Sequence, residues 1–222
     1  MSASSSSNVL FDLDGTMLDT APDLAFALNT LLQEQNKDEL PLETIRPTVS
    51  LGGVAMLKLG FNLDVKSEQF IQLRNRFLEI YRNNIARQSR FFDGMEALLA
   101  QLEREQISWG IVTNKPSWLT TPLMSELGLN KRTSCIVSGD TVEYSKPHPA
   151  PMYYACKLLN CAADDTLYLG DAQRDIEAGN AANMTTLIAN YGYIDSKDDT
   201  SLWGADGSID TPMDLLKWLN KS

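Results

Sequence analysis

Histidine is almost absent from this 222-residue chain, and His148 is the only one. A lone histidine cannot build a histidine-dependent metal centre, and it finds no serine or cysteine nucleophile motif to serve. Cysteine is scarce as well. Cys135, Cys156 and Cys161 are odd in number and show no CxxC spacing. They read as reduced, partly buried thiols of a cytoplasmic protein. No apolar run is long enough to span a bilayer. Positive charge is in short supply: 19 Lys and Arg stand against 29 Asp and Glu, a net charge of -10. Such a surface repels nucleic acid and anionic membranes, so neither is an expected partner. It also repels phosphorylated molecules, so a phosphate site would need its own cluster of cations and N–H donors. The opening MSASSSSN has neither a charged n-region nor an apolar h-region, and reads as a loose start rather than a secretory signal.

What is present is an ordinary globular composition, 43% hydrophobic and 22% charged, enough for one large domain or a domain with an insertion. VLFDLD reads as a short buried strand. The next stretch, TAPDLAFALNTLLQEQN, reads as a helix capped by Thr20, with Pro22 and Asp23 in its first turn. A second helical stretch covers Leu42 to Ile45, and RPTVSLGG reads as a loop. VAMLKLGF is a short apolar segment. SEQFIQLRNRFLEIYRNNIARQ is a long helix capped by Ser67, with Phe70, Leu73, Phe77, Leu78 and Tyr81 as its apolar stripe. From residue 89 onward the pattern changes: ISWGIVTN, TSCIVSGD, TLYLGD and MTTLIANYG read as strands alternating with amphipathic helices. Alternation of that kind predicts an α/β fold, a parallel sheet with helices on both faces. The expected division is a core of residues 1–17 and 89–222, interrupted by an all-helical segment of residues 18–88.

Ligands of open parallel sheets bind beyond the carboxyl ends of the strands. Here the first strand ends in Asp12-Leu13-Asp14-Gly15-Thr16, the second in Thr113-Asn114-Lys115, and the third in Ser138-Gly139-Asp140 with Lys146 soon after. The fourth ends in Gly170-Asp171, with Asp175 one helical turn on. Hydrolysis of a phosphate monoester needs this set of groups. A carboxylate nucleophile splits the reaction in two, and a hard dication removes the repulsion between that nucleophile and its anionic target. A lysine and N–H or hydroxyl donors hold the remaining oxygens, and a second carboxyl moves the protons. One candidate stands for each role. Asp12 is the nucleophile, Asp14 the general acid and base, and Asp171 a ligand of Mg2+. Asp175 is a second-shell or direct ligand. Thr113, Asn114 and Lys146 bind phosphate. Lys115 reads equally well as a surface cation or a phosphate contact. From the SLGG loop, Ser50 and Gly52 are candidate substrate contacts.

FDLDGTMLDT, VTNKP, SKPHP and GDAQRD resemble, in order, the four motifs of the haloacid dehalogenase (HAD) superfamily. The resemblance implies a Rossmann-like core, magnesium, a phospho-aspartate intermediate and a mobile helical C1 cap hinged near Asp19 and Phe92. It also implies magnesium ligation by Asp12, by the backbone carbonyl of Asp14 and by Asp171. Within the C1-capped branch the first two motifs resemble phosphoglycolate phosphatases. LPLETIRPTVSLGGVAMLKLGF is also similar to the cap of N-acetylmuramic acid 6-phosphate phosphatases. A mutase of the β-phosphoglucomutase kind shares core and cap and stands as an alternative, though Thr16 after Gly15 fits a phosphatase better. Ala172 and Asn183 depart from a Ser or Thr and a Gly common in the family, and neither carries an assigned role. The expected partner is a small phosphorylated metabolite, and the chain is either a monomer or a homodimer.

Overall fold

The computed structural model describes residues 8–219, so most of the loose start expected for MSASSSSN lies outside the described residues. Six strands form one parallel sheet. They are β1 (Asn8–Phe11), β4 (Ser108–Val112), β5 (Cys135–Val137), β6 (Thr166–Gly170), β7 (Thr185–Ala189) and β8 (Gly207–Ile209). Their spatial order is β5-β4-β1-β6-β7-β8, and every neighbouring pair is parallel. β8 has only three residues, too few for its pattern to stand out, and the sequence reading lacked it.

β1 lies at the centre, and Val9, Leu10 and Phe11 are fully buried. Its side chains alternate between two cores. Val9 and Phe11 join Trp109, Ile111, Leu167 and Leu169 on one face. Leu10 joins Val112, Val137 and Tyr168 on the other. A strand covered on both faces is apolar without interruption, which is why VLF carries no polar residue. Each such side chain contributes about 1.5–3 kcal/mol by leaving water. Helix α5 (Met95–Arg104) and helix α6 (Ser117–Glu126) cover the first face. Helix α7 (Ala150–Leu159) and helix α8 (Gln173–Ala181) cover the second. A short helix, α9 (Leu216–Leu219), closes the described chain.

Between β1 and β4 the chain leaves the sheet through β2 (Leu18–Asp19) and returns through β3 (Arg90–Phe91), which pair antiparallel. The helices α1 (Ala21–Glu34), α2 (Leu42–Ile45), α3 (Gly53–Phe61) and α4 (Glu68–Asn83) lie between them and share a core of their own. The short apolar segment VAMLKLGF forms helix α3 with Gly53. Ser67 caps α4 as expected, its hydroxyl accepting from the Phe70 N–H at 3.2 Å. Thr20 does not cap α1 with its side chain; its hydroxyl is engaged elsewhere. Asp23 in the first turn of α1 reaches across to the returning segment. It accepts from the Gln88 and Ser89 N–H groups at 2.8 and 2.9 Å and from the Ser89 hydroxyl at 2.7 Å. The two crossings are thus stapled side by side. On α4 the buried stripe is Phe70, Leu73, Phe77, Ile80 and Tyr81, and Leu78 packs half-buried against its edge and lines a cavity.

Candidate active site

The sheet order reverses at β1: the chain builds outward to β4 and β5, then returns to lay β6 on the other side of β1. At such a switch point the connections diverge and leave a crevice at the carboxyl ends of the strands. Asp12 ends β1 and Asp171 ends β6, on neighbouring strands, and the Asp12 N–H still donates to the Leu169 carbonyl at 2.9 Å. Oxygens of Asp12, Asp171 and Asp175 all lie within 4.8 Å of one another, and all three residues are buried.

Lys146 is wholly buried among them. Its Nζ stands 2.9 Å from Asp12 Oδ1 and 2.8 Å from Asp175 Oδ1. It also donates to the Val112 carbonyl at 2.8 Å and to the Tyr168 hydroxyl at 2.7 Å. With its protons shared in this way, neither Asp12 Oδ1 nor Asp175 Oδ1 receives a well-aligned hydrogen bond. The Asn114 side chain fixes the Lys146 backbone from both sides. Its Nδ2 donates to the Lys146 carbonyl at 2.8 Å, and its Oδ1 accepts the Lys146 N–H at 3.0 Å. Its side-chain amide is therefore committed to positioning the lysine.

Asp171 accepts from the Thr16 hydroxyl at 3.1 Å, the Ser50 hydroxyl at 2.6 Å and the Tyr193 N–H at 2.9 Å. Gly15 follows from this crowding. Its φ is +88°, and a Cβ there would stand 2.1 Å from Asp171 Oδ2, so no other residue fits. Asp175 is in the first turn of α8, where its Oδ2 accepts the Ala172 N–H at 3.0 Å while Oδ1 faces Lys146. It thus serves both the helix terminus and the site.

Of the three buried carboxylates, Asp12 and Asp175 pair with one wholly buried lysine, while Asp171 is held by Thr16, Ser50 and Tyr193. Burial, helped by the charge of Asp175 and opposed by Lys146, pushes the Asp12 carboxyl up to about 6. Burial and then the charges of Asp12 and Asp175 push Asp171 up to about 7. An all-oxygen set with surplus negative charge and two poorly satisfied oxygens fits a hard dication such as magnesium.

Above the cluster lies a cavity of about 500 Å³ between the sheet edge and the helical insertion. Asp12, Asp14, Thr113 and Asn114 line it from the sheet side, and Ser50 and Gly52 from the insertion. Lys146, Asp171 and Asp175 are not on its wall and act from beneath. Thr113 is buried, and its hydroxyl accepts the Lys115 N–H at 3.1 Å. Lys115 is not a surface cation. Its Nζ lies 3.1 Å from Asp14 Oδ1 and donates to the Tyr81 hydroxyl of α4 at 2.8 Å. Burial pulls its pKa down, but Asp14 and Tyr81 outweigh burial and hold it above the ordinary value. Thr20 completes the surroundings of Asp14 with a bond of 2.6 Å. His148 is exposed and stacks on Tyr144, away from this cavity.

Sequence reasoning missed Arg174, Tyr193 and Tyr168. Arg174 also lines the cavity, donates to the Ser50 carbonyl and keeps its Nε buried without a partner. It lies inside GDAQRD, so the motif marked its place. Tyr193 follows β7, a fifth strand end on the same edge. Tyr168 lies within a buried strand and gave no polar signal at all.

A family model described as haloacid dehalogenase-like hydrolase matches residues 9–189. The chain belongs to the haloacid dehalogenase-like hydrolases. This HAD-like chain is 41% identical over 214 residues to an N-acetylmuramic acid 6-phosphate phosphatase from Pseudomonas putida, covering 96% of each. It is 40% identical over 208 residues to a phosphoglycolate phosphatase from Xanthomonas campestris, covering 93% of each. Its fold matches the crystal structure of a predicted phosphoglycolate phosphatase from Haemophilus somnus with a TM-score of 0.84 at 27% identity, over 95% of this chain and 96% of that one. By family and by these relatives, the HAD-like chain is a phosphoric monoester hydrolase. No helix among its described residues is long and apolar enough to cross a membrane.

Proposed function

We propose that this chain is a cytoplasmic, magnesium-dependent phosphatase of a small phosphomonoester, working through an aspartyl-phosphate on Asp12. One observation carries the reading: Lys146 sits between Asp12 and Asp175, with Asp171 within reach, beside the cavity that Asp12 and Asp14 line.

Asp12 attacks phosphorus. Asp14, on the cavity wall and ion-paired with Lys115 in this structure, acts as the general acid toward the leaving alkoxide once it has taken up a proton. It then takes a proton from the water that attacks the phospho-aspartate, which returns Asp12 and frees phosphate. Lys146 holds the charge on the phosphoryl oxygens, with the Thr113 hydroxyl beside it. Asn114 keeps Lys146 in place. Asp12, Asp171 and the Asp14 carbonyl would hold magnesium, with Asp175 beside them. When bound, the metal supplies the positive charge that lets one anion approach another. Ser50 and Gly52 contribute the insertion's side of the pocket.

Two esters come from the relatives' names: phosphoglycolate and N-acetylmuramic acid 6-phosphate. The first is the simpler reading of the core motifs. The cavity volume of about 500 Å³ favours the second, because phosphoglycolate has only two carbons and would leave most of that space unfilled. The test is a panel of phosphorylated metabolites containing both esters, scored by free phosphate with magnesium and with a chelator. Release from at least one ester, faster than from a generic one and only with magnesium, is the expected result. Isomerisation of a sugar phosphate without phosphate release would point to a mutase instead, and full activity in chelator would reject the metal.

A further inference from the structure

Beyond Asp12 and Asp14, the wall of the cavity includes Arg74, Asn75 and Leu78 of α4 and Trp118 of α6, and Asn75, Leu78 and Trp118 also line an adjoining groove. Trp118 is 41% exposed, an uncommon position for so large an apolar side chain. Its backbone is fixed: the Ser117 N–H and hydroxyl donate to Asp140 at 2.8 and 2.9 Å and pin the start of α6. The Arg82 guanidinium lies 5.8 Å from the indole centroid, and the indole also lines the cavity. It is therefore an aromatic wall with a cation on it and open space beside it.

Arg74 is exposed and lines that cavity, and its side chain has no hydrogen bond or ion pair among the described residues. Arg76, two positions on, pairs with Glu34 at 2.6 Å and with Glu79 at 2.8 Å. A guanidinium left unpaired at a cavity wall, in a chain of net charge -10 with 29 acidic residues, is available to an anion from outside. Guanidinium binds carboxylate through two parallel N–H···O bonds, a geometry a lysine cannot match. A sugar ring presents an apolar C–H face that packs on an aromatic ring, as other apolar groups do.

We propose that Trp118 and Arg74 form a distal subsite that reads the alcohol half of the ester: the indole packs on a sugar ring, and the guanidinium pairs with a carboxylate carried by that ring. The inference rests on the phosphatase reading above and narrows its substrate class to acidic sugar phosphates. Asn75, beside Arg74, is placed to meet polar substituents of the same ring.

Three esters separate the parts. N-acetylmuramic acid 6-phosphate has ring and carboxylate, N-acetylglucosamine 6-phosphate has the ring alone, and phosphoglycolate has the carboxylate without a ring. The wild-type chain with magnesium should show its highest kcat/KM on the first. Arg74→Met should raise KM for that ester about tenfold and leave N-acetylglucosamine 6-phosphate within about twofold. Trp118→Ala should raise KM for both sugar esters about tenfold with kcat nearly unchanged, and leave phosphoglycolate within about twofold. Trp118→Phe should recover most of the loss and also shows that the fold tolerates the position. A wild type that prefers phosphoglycolate, or variants whose losses are equal on all three esters, would overturn the subsite and leave the phosphatase reading intact. Failure to release phosphate from any of the three would instead remove the reading beneath it.

Discussion

At the floor of the cavity Lys146 is wholly buried and faces Asp12 at 2.9 Å and Asp175 at 2.8 Å, with Val112 and Tyr168 taking its protons. At the mouth Trp118 is 41% exposed, and Arg74 has no partner among the described residues. The two regions are held by different physics. Buried charge is costly unless it is paired, so every group at the floor is fixed by several others and none can change alone. Side chains at the mouth are solvated whatever they are, so the fold places little constraint on them. On the proposed reading, the chemistry would reside where substitution is least tolerated, and the choice of substrate where it is most tolerated.

The largest expected effect is on the floor. Asp12→Asn keeps the shape of the side chain and removes the nucleophile, and it should cut turnover of a generic phosphate ester by roughly 10⁴-fold or more. Near wild-type rates would show that the floor does not do the chemistry. Lys146→Met comes next. It leaves Asp12 and Asp175 buried without their lysine and should cost roughly 3–5 kcal/mol of stability at neutral pH, read as a shift of the urea midpoint. Arg74→Met at the mouth should stay within about 0.5 kcal/mol of wild type in the same measurement. Equal costs at the two sites would erase the contrast between floor and mouth.

The same contrast governs what the sequence disclosed. Asp12, Asp14, Thr113, Lys146 and Asp171 were legible because polar residues at the ends of apolar strands have few reasons to be there. The parallel sheet followed from the alternation of strands and helices. β8 escaped because three residues carry no period. Lys115 was undecided because a strand-end lysine can point outward or inward, and only packing shows that Tyr81 and Asp14 draw it in. Thr20 reads locally as a helix cap, but a tertiary partner, Asp14, claims its hydroxyl. Trp118 and Arg74 were invisible as a pair. They lie on different elements, 44 positions apart in sequence, and come together only as parts of one cavity wall.

Magnesium offers a smaller effect that tests the floor without turnover. Asp12 and Asp171 are raised from 3.8 to about 6 and about 7, chiefly by burial. The folded chain thus keeps protons that the unfolded chain has already released, and stability falls as pH rises from about 4 to about 7. A dication binds the deprotonated carboxylates and competes with those protons. Its stabilisation should therefore be small near pH 5 and larger near pH 8. At a hundredfold excess over Kd the gain is about 2.7 kcal/mol, or roughly 5–10 °C in melting temperature for a chain of this size. Asp171→Asn should abolish the magnesium shift, and Arg74→Met should leave it unchanged. A shift equal at both pH values, or one that survives Asp171→Asn, would place the ion somewhere other than the floor.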